Sequence, residues 1–367
     1  MIGDTGITAK VIAPVPWFPF QSQRFGRYSL FARTPKYEIL NGIEVYHPRF
    51  LILPKVGAPL TPFFLALTLK RTIRRIQAKG YEADLFDAHY LYPDGVAVAR
   101  VAQDFKKPFV MTARGSDVTE IGRKPFYRRA IAWALSRCAH AITVSNSLRD
   151  ELKTYGSECP ITTLRNGIDG DRFCLPTETK ISAKPSNEKF VKILYAGWLI
   201  PRKRVDLLLD AVVKLKNVKV EIVGDGPEQA ALKAQAVALG IADKVAFLGR
   251  QAPERMPQIY GRNDILVLPS EREGWANVLL EAMACGTPVV SNAVAGALDL
   301  ITDSVAGRLV HGQTGDAYAE AIQDLAMHIP NRQDVRRFAL QFGWGGISLG
   351  QQRIFEHVIS NSSEELG

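Results

Sequence analysis

Residues 269–292 read PSEREGWANVLLEAMACGTPVVSN, and the rest of the chain falls into place around them. The apolar run Ile265 to Leu268 leads in. Ser270 to Gly274 reads as a short polar loop. Ala276 to Cys285 reads as a helix, with apolar Val278, Leu279, Ala282 and Met283. Gly286 and Pro288 stop that helix, and Pro288-Val289-Val290 opens another strand. The first N–H groups of a helix have no partner within it, so its N-terminus is a ready anion site. Glu273 and Glu281 bracket this one. Carboxylates on both sides of a phosphate site point to hydroxyls bound beside the phosphate.

A chain of 367 residues has room for two α/β domains with separate cores. Hydrophobic content of 47% and charged content of 23% fit a soluble globular enzyme. The formal charge of +9 is compatible with nucleic acid, anionic lipid, an anionic substrate or a basic proteome. No nucleic-acid-binding motif is present, so nucleic acid is not an expected partner. Cys138, Cys159, Cys174 and Cys285 lack metal-ligand spacing and read as reduced thiols of a cytosolic protein. No apolar stretch approaches the ~18–20 residues of a membrane helix, and MIGDTGITAK is not a signal peptide. The expected location is cytoplasmic.

Taken in order, Ile7 to Val15 reads as a strand, Pro16 to Arg33 as a long loop, and Gly42 to Phe50 as strand-like. Leu60 to Lys79 is helical, with Phe63, Phe64, Leu67, Ile73 and Ile76 against Lys70, Arg71, Arg74, Arg75 and Lys79. Two readings stay open for it: a surface helix packed on a sheet, or a basic patch on the anionic inner face of the plasma membrane. Strands Leu85–Ala88, Pro108–Ala113, Ala141–Val144 and Ile161–Leu164 then alternate with helices Asp94–Phe105, Pro125–Arg137 and Asn146–Tyr155, the last capped by Ser145. Residues 176–189, PTETKISAKPSNEK, are the linker candidate. A second alternating series follows, with strands at Val191–Ala196, Val218–Val223, Val245–Leu248, Ile265–Leu268 and Pro288–Ser291, a short one near Arg308–Val310, and a helical tail from Val335 to Ile359. Such alternation implies two doubly wound parallel sheets. Their ligands sit at the carboxyl ends of strands, in the cleft expected between the domains.

Four sites just after strands carry chemistry. GWLIPRKR follows Val191–Ala196, and its Arg202, Lys203 and Arg204 sit at a helix N-terminus whose dipole they oppose. A diphosphate is a sensible target for them; a solvated basic turn is the bland alternative. GDGPE follows Val218–Val223, but the third glycine of a dinucleotide fingerprint is Gln229. Gly226 within a lone GxG is weak evidence. Glu273 with Glu281 is the third site. His89, closing Leu85–Ala88, is the fourth.

These segments together resemble the family 4 glycosyltransferases, which are retaining enzymes with the GT-B fold. The resemblance runs through GWLIPRKRVDLLLDA, VEIVGDGPE, VAFLGR, IYGRNDILVLPS, EREGWANVLLEAMACGTPVV and AGALDLITDSVAGRLV. It continues through DAHYLYPDG, TARGSD, ITVSNSLRDEL and LRNGIDGDRF in the first half. TARGSD with DAHYLYPDG is similar to the branch of teichuronic-acid and other cell-surface polysaccharide transferases. Glu273 and Glu281 match the family's E-x7-E motif. The resemblance implies α/β domains of the Rossmann type: residues 1–178 on the acceptor side, a linker at 179–189, a nucleotide-sugar domain at 190–344, and a helix at 345–361 returning to the first. It implies that Lys203 and Arg202 bind the donor diphosphate and Glu281 the ribose. It implies that Glu273 contacts hydroxyls of the transferred sugar. The backbone of Gly274, Trp275, Ala276, Asn277 and Val278 serves phosphate and sugar, with Gly226, Arg250 and Asn166 nearby. His89 approaches the donor sugar, with catalytic parts for Glu273, His89 and Lys203. The implied donor is a nucleotide sugar, the acceptor a glycan or lipid-linked glycan, and neither a cofactor nor a metal is expected.

Three departures stand out. Trp198 replaces an arginine of the family's G-R-L-x-x-x-K pattern. Arg114 replaces a histidine in TARGSD; it is suited to phosphate or an acidic sugar and is a poor acid–base group because it stays protonated. The family also has a strand, a Gly-rich loop and a helix ahead of the strand that Ile7–Ala13 matches. Without them, the first domain is expected to hold an unfilled core slot or another strand order, with poor stability and weak activity. The leading reading stays a transferase moving a sugar from a nucleoside diphosphate to a growing glycan, and the alternative is a truncated, inactive nucleotide-sugar-binding remnant acting as a binding or assembly protein.

Overall fold

The computed structural model describes residues 5–22, 24, 26–52, 58–175 and 190–364. The chain forms two units: Met1–Leu164 with Ile347–Gly367, and Arg165–Gly346.

The first unit opens with β1 (Val11–Ile12), β2 (Val15–Pro16), α1 (Arg27–Arg33), β3 (Tyr37–Leu40), β4 (Ile43–Tyr46) and β5 (Arg49–Phe50). The segment expected as a long loop therefore contains α1, and the Ile7–Val15 strand is two short pieces. Pro14 removes a backbone donor between those pieces. Tyr37–Leu40 was missed as a strand; it pairs antiparallel with β4 and is mostly exposed, so no buried run marked it. Then come α2 (Thr61–Gln77), β6 (Phe86–His89), a wide turn at Leu91–Gly95, α3 (Val96–Phe105), β7 (Phe109–Ala113), α4 (Pro125–Leu135), β8 (His140–Thr143), α5 (Asn146–Lys153) and β9 (Ile161–Thr163). Ser145 accepts a hydrogen bond from the Leu148 N–H and caps α5, as expected.

Among the described residues, no ladder joins β1–β4–β3 to β6–β7–β8–β9, and β2–β5 stands as a third pair. β1 and β6 nonetheless share one apolar cluster. Ile12 and Phe86 pack on Phe50, Leu65, Leu69, Ala97 and Val101. Every residue of β7 is buried, as in a strand covered by helices on both faces.

The second unit holds β10 (Val191–Ala196), α6 (Val205–Lys214), β11 (Val218–Val223), α7 (Gln229–Ala238), β12 (Val245–Gly249), α8 (Met256–Gly261), β13 (Ile265–Leu268), α9 (Asn277–Ala284), β14 (Val289–Asn292), α10 (Ala295–Leu298), β15 (Gly307–Val310), α11 (Gly315–Met327) and α12 (Arg332–Leu340). Its sheet is parallel throughout, in the order β12-β11-β10-β13-β14-β15. The chain builds outward from β10 to β12, then returns to lay β13 on the other flank of β10. That reversal is a topological switch point. Ligands of such sheets bind outside the carboxyl ends of the two strands that flank it.

α13 (Trp344–Glu364) closes the chain. From Ile347 onward it belongs to the first unit, where Phe355 and Val358 pack on Val110 of β7. The helical tail is thus two helices, broken at Phe342–Gly343. The domain boundary, expected at 178, lies between Leu164 and Arg165. Residues after 165 are bound into the second unit: Arg336 donates to the carbonyls of Gly170 and Phe173, and Ile168 bridges to Gly343. The linker at 179–189 lies outside the described residues.

Candidate functional site

The switch point of the second unit brings together two loops that are distant in sequence. After β10 the chain makes a 3-10 turn, Pro201–Lys203. After β13 it enters Pro269–Ala276. The loops are joined by the Glu271 N–H donating to the Arg202 carbonyl (3.0 Å) and by Arg202 Nη1 donating to the Arg272 carbonyl (3.1 Å). Between them, Lys203 Nζ donates to Glu273 Oε1 at 2.5 Å. The two side chains are 15% and 11% exposed, so the pair is only lightly screened by solvent. Arg204 is turned away from them. It binds the Asp206 carboxylate, with Glu271 and Gln313 further out. Asp206 in the first turn of α6 thus offsets the cation that opposes the helix dipole.

The GxG of Gly224–Gly226 has a packing reason. A Cβ at Gly224 would lie 1.8 Å from the Gly197 carbonyl oxygen, and one at Gly226 2.3 Å from that of Leu199. The two loops cross at backbone distance, with the Leu199 N–H donating to the Asp225 carbonyl (2.8 Å). Gly226 therefore seats the Lys203 loop. Arg250, just after β12, is exposed. Trp198 is 63% exposed.

α9 starts at Asn277, one residue later than expected, with Ala276 at the N-cap and no side chain capping it. The N–H groups of Gly274, Trp275 and Ala276 have no protein acceptor among the described residues. They are donors left for a ligand. Asn166 Nδ2 donates to Asn277 Oδ1 (3.0 Å), which ties the Arg165–Ile168 segment to this N-terminus. The Trp275 side chain does not join the site. It is 7% exposed, and its ring lies 5.9 Å from that of Phe342. Only its backbone remains a candidate. Glu281, one turn into α9, accepts from the Tyr260 hydroxyl at 2.7 Å. Burial pushes the Glu281 pKa up, against the Tyr260 hydrogen bond and the Arg172 charge.

The first unit gathers its own cluster at the carboxyl ends of β6 and β7. Arg114 Nη2 donates to His89 Nδ1 (2.6 Å), and His89 Nε2 lies 3.2 Å from Asp87 Oδ2. A guanidinium only donates, so Nδ1 is the acceptor in this contact and Nε2 is the ring nitrogen that faces Asp87. Both ring nitrogens of His89 are engaged within the first unit. Asp117 is fully buried and accepts from the N–H groups of Leu91, Arg114 and Gly115. Asp94 is pushed up to about 6, mainly by burial and then by Asp117. Asp87, Asp94 and Asp117 were not singled out from the sequence. Their spacing carries no motif, although DAHYLYPDG and TARGSD contain all three.

On α2, Leu65, Leu69 and Ile76 face inward, while Phe63 is 50% and Leu67 42% exposed. Two of the five basic residues leave the expected patch. Lys70 is bound to Asp104 of α3 (2.7 Å), and Lys79 lies over the Tyr46 ring. Arg71, Arg74 and Arg75 remain exposed. No helix among the described residues is long and apolar enough to cross a membrane. No cluster of three or more His, Cys, Asp or Glu among them is arranged to hold a metal ion.

Comparison with known proteins matches residues 176–341 to the model of glycosyl transferases group 1 and residues 21–172 to that of glycosyltransferase family 4. An uncharacterized glycosyltransferase of Methanocaldococcus jannaschii is 30% identical, over 78% of this chain and 76% of its own. A Bacillus subtilis protein named as a teichuronic acid biosynthesis glycosyltransferase is 28% identical, over 86% of this chain and 80% of its own. Among solved structures, an Anabaena protein in complex with UDP superposes with a TM-score of 0.73 at 20% identity, covering 96% of this chain and all of that one.

Proposed function

The chain belongs to the group 1, family 4 glycosyltransferases, and from that premise we propose that it moves a sugar from a nucleoside diphosphate to a growing cell-surface polysaccharide or lipid-linked glycan, with retention of configuration. One observation carries the reading: Lys203 and Glu273 meet at 2.5 Å where β10 and β13 flank the switch point. Lys203 binds the diphosphate, and Glu273 exchanges its ammonium partner for hydroxyls of the transferred sugar. The N–H groups of Gly274–Ala276, with Lys203 and Arg202, stabilise charge as it develops on the leaving diphosphate. Glu281 takes the ribose hydroxyls. The acceptor hydroxyl oxygen bonds to the anomeric carbon on the face from which the diphosphate departs, the bond from that carbon to the diphosphate oxygen breaks, and the departing phosphate takes the hydroxyl proton, with Lys203, Arg202 and the backbone N–H groups carrying the charge.

The test is transfer from UDP- and GDP-sugars to lipid-linked acceptors by wild type, Lys203→Ala and Glu281→Ala, with circular dichroism as the folding control. Both variants should lose transfer while staying folded. Full activity in either one sinks the assignment.

A second reading, a nucleotide-sugar-binding remnant without turnover, draws on the separate β1 and β6 ladders and on Trp198. Calorimetric binding of donor with no product on any acceptor would select it. We also propose that Arg71, Arg74 and Arg75, with Phe63 and Leu67, hold the protein against anionic lipid at the inner face of the plasma membrane.

A further inference from the structure

Glu281 is held by a residue that the sequence did not single out. Tyr260 is 2% exposed, and its hydroxyl donates to Glu281 Oε2 at 2.7 Å. The ring lies against that of Phe173, with centroids 6.2 Å apart. The Tyr260 carbonyl accepts from Thr287 Oγ1 at 2.8 Å. Arg332 braces the same turn, donating to the carbonyls of Gly261 (3.0 Å) and Asn263 (2.8 Å) and to Thr287 Oγ1 (3.3 Å). This network fixes the backbone that carries Tyr260, and burial against Phe173 leaves the ring no open space to swing into. Glu281 Oε1 makes no hydrogen bond among the described residues.

We infer that Tyr260 is a positioning residue, which fixes one oxygen of Glu281 so that the carboxylate presents the other to the hydroxyls of a bound ribose. The inference rests on reading Glu281 as the ribose ligand. A carboxylate on a flexible glutamate loses rotamer freedom when it binds; a bond already made to a buried hydroxyl removes part of that loss beforehand.

The bond also governs protonation. Burial favours the neutral acid at Glu281, and the Tyr260 hydroxyl and the Arg172 charge oppose it. Cys285 faces the same side chain from the next turn of α9. Arg336 on α12 is spent on the carbonyls of Ala284 and Phe173. β13 and β14 bring no charged residue to α9. Removing the Tyr260 hydroxyl therefore raises the Glu281 pKa further. Affinity for a ribonucleotide is then lost at a higher pH than in wild type.

The experiment is isothermal titration calorimetry on the full chain. UDP, GDP and ADP are compared first. The tightest of them and its 2′,3′-dideoxy analogue are then titrated between pH 5 and pH 8 into wild type, Glu281→Gln and Tyr260→Phe. Tyr260→Phe keeps the buried ring, and binding of the dideoxy analogue reports that the site is folded. The expected result is about a tenfold loss for the ribonucleotide, as for one hydrogen bond to a charged group. The dideoxy analogue should be unchanged, and the acid limb should move to higher pH. If Glu281→Gln still distinguishes the two nucleotides, or none of the three binds, the ribose reading falls. If Glu281→Gln abolishes the distinction while Tyr260→Phe behaves as wild type, or weakens both probes equally, the positioning role is overturned and the ribose reading stands.

Discussion

Lys203 Nζ and Glu273 Oε1 lie 2.5 Å apart although 70 residues separate them in the chain. Each neutralises the other while no ligand is bound, and each matches a different part of a nucleotide sugar. Removing one partner leaves the other charge poorly solvated. Lys203→Ala and Glu273→Ala should each lower unfolding free energy by about 1–3 kcal/mol. The double variant should lose less than the sum. Urea denaturation of all four proteins checks this. Lys203→Ala should also lower kcat/KM by roughly 10²–10³-fold, the range for losing one charge-stabilising donor.

Gly226→Ala should destabilise the second unit. The added methyl would lie 2.3 Å from the Leu199 carbonyl oxygen, which is backbone and cannot step aside cheaply. A loss of about 2–4 kcal/mol is expected, with weaker donor binding because the same loop carries Lys203. Thermal denaturation together with donor titration reads both. An unchanged Tm would show that the loops do not need their close crossing.

Asp117→Ala should be among the most damaging single changes in the first unit. It would leave the N–H groups of Leu91, Arg114 and Gly115 without their acceptor. About 3–5 kcal/mol is the expected loss, and hydrogen exchange should speed up at those three amides in particular.

Asp94 gives a pH-dependent prediction. Its folded-state pKa is raised to about 6, chiefly by burial. A raised pKa means that the folded state holds the proton more tightly than the unfolded chain. Its stabilising share is complete below the unfolded value, ~4, and is lost as pH rises through about 6. Asp94→Asn, which is neutral at every pH, should therefore be about 1–3 kcal/mol more stable than wild type at pH 7.5, with the gap closing by pH 4. Chemical denaturation at the two pH values decides it.

Reversing Arg71, Arg74 and Arg75 to Glu should abolish co-sedimentation with phosphatidylglycerol vesicles at low salt. About 1 kcal/mol per basic residue is at stake. Lys70→Glu should disturb the bond to Asp104 and leave vesicle binding nearly unchanged. Binding that ignores lipid charge would remove the patch from the surface chemistry of α2.

Much of the fold was legible in the chain. β7 and β13 are buried at every position, so the apolar runs Phe109–Met111 and Ile265–Leu268 announce strands covered on both faces. Ser145 marked the start of α5. What escaped was locally ordinary. β3 is held by pairing to β4 and has little burial of its own. α1 has no side-chain cap and follows aromatic residues without a helical period. The domain boundary escaped because Asn166 and Phe173 are bound by Asn277, Tyr260 and Arg336, all remote in sequence.

The sequence by itself determined the alternating α/β class, the switch from one unit to a second, and the loops on which Lys203, Glu273 and Glu281 stand. These follow from periodicity, caps and turn residues, which act over a few positions. Only the tertiary structure decided which of these residues meet. Parallel pairing sets β10 beside β13 rather than beside a strand next to it in the chain, and that places Lys203 on Glu273. Packing turned the Trp275 ring into the core, and it brought Tyr260 under Glu281. No local pattern records such pairings, because the burial and hydrogen bonds that select them are shared between segments far apart in the chain.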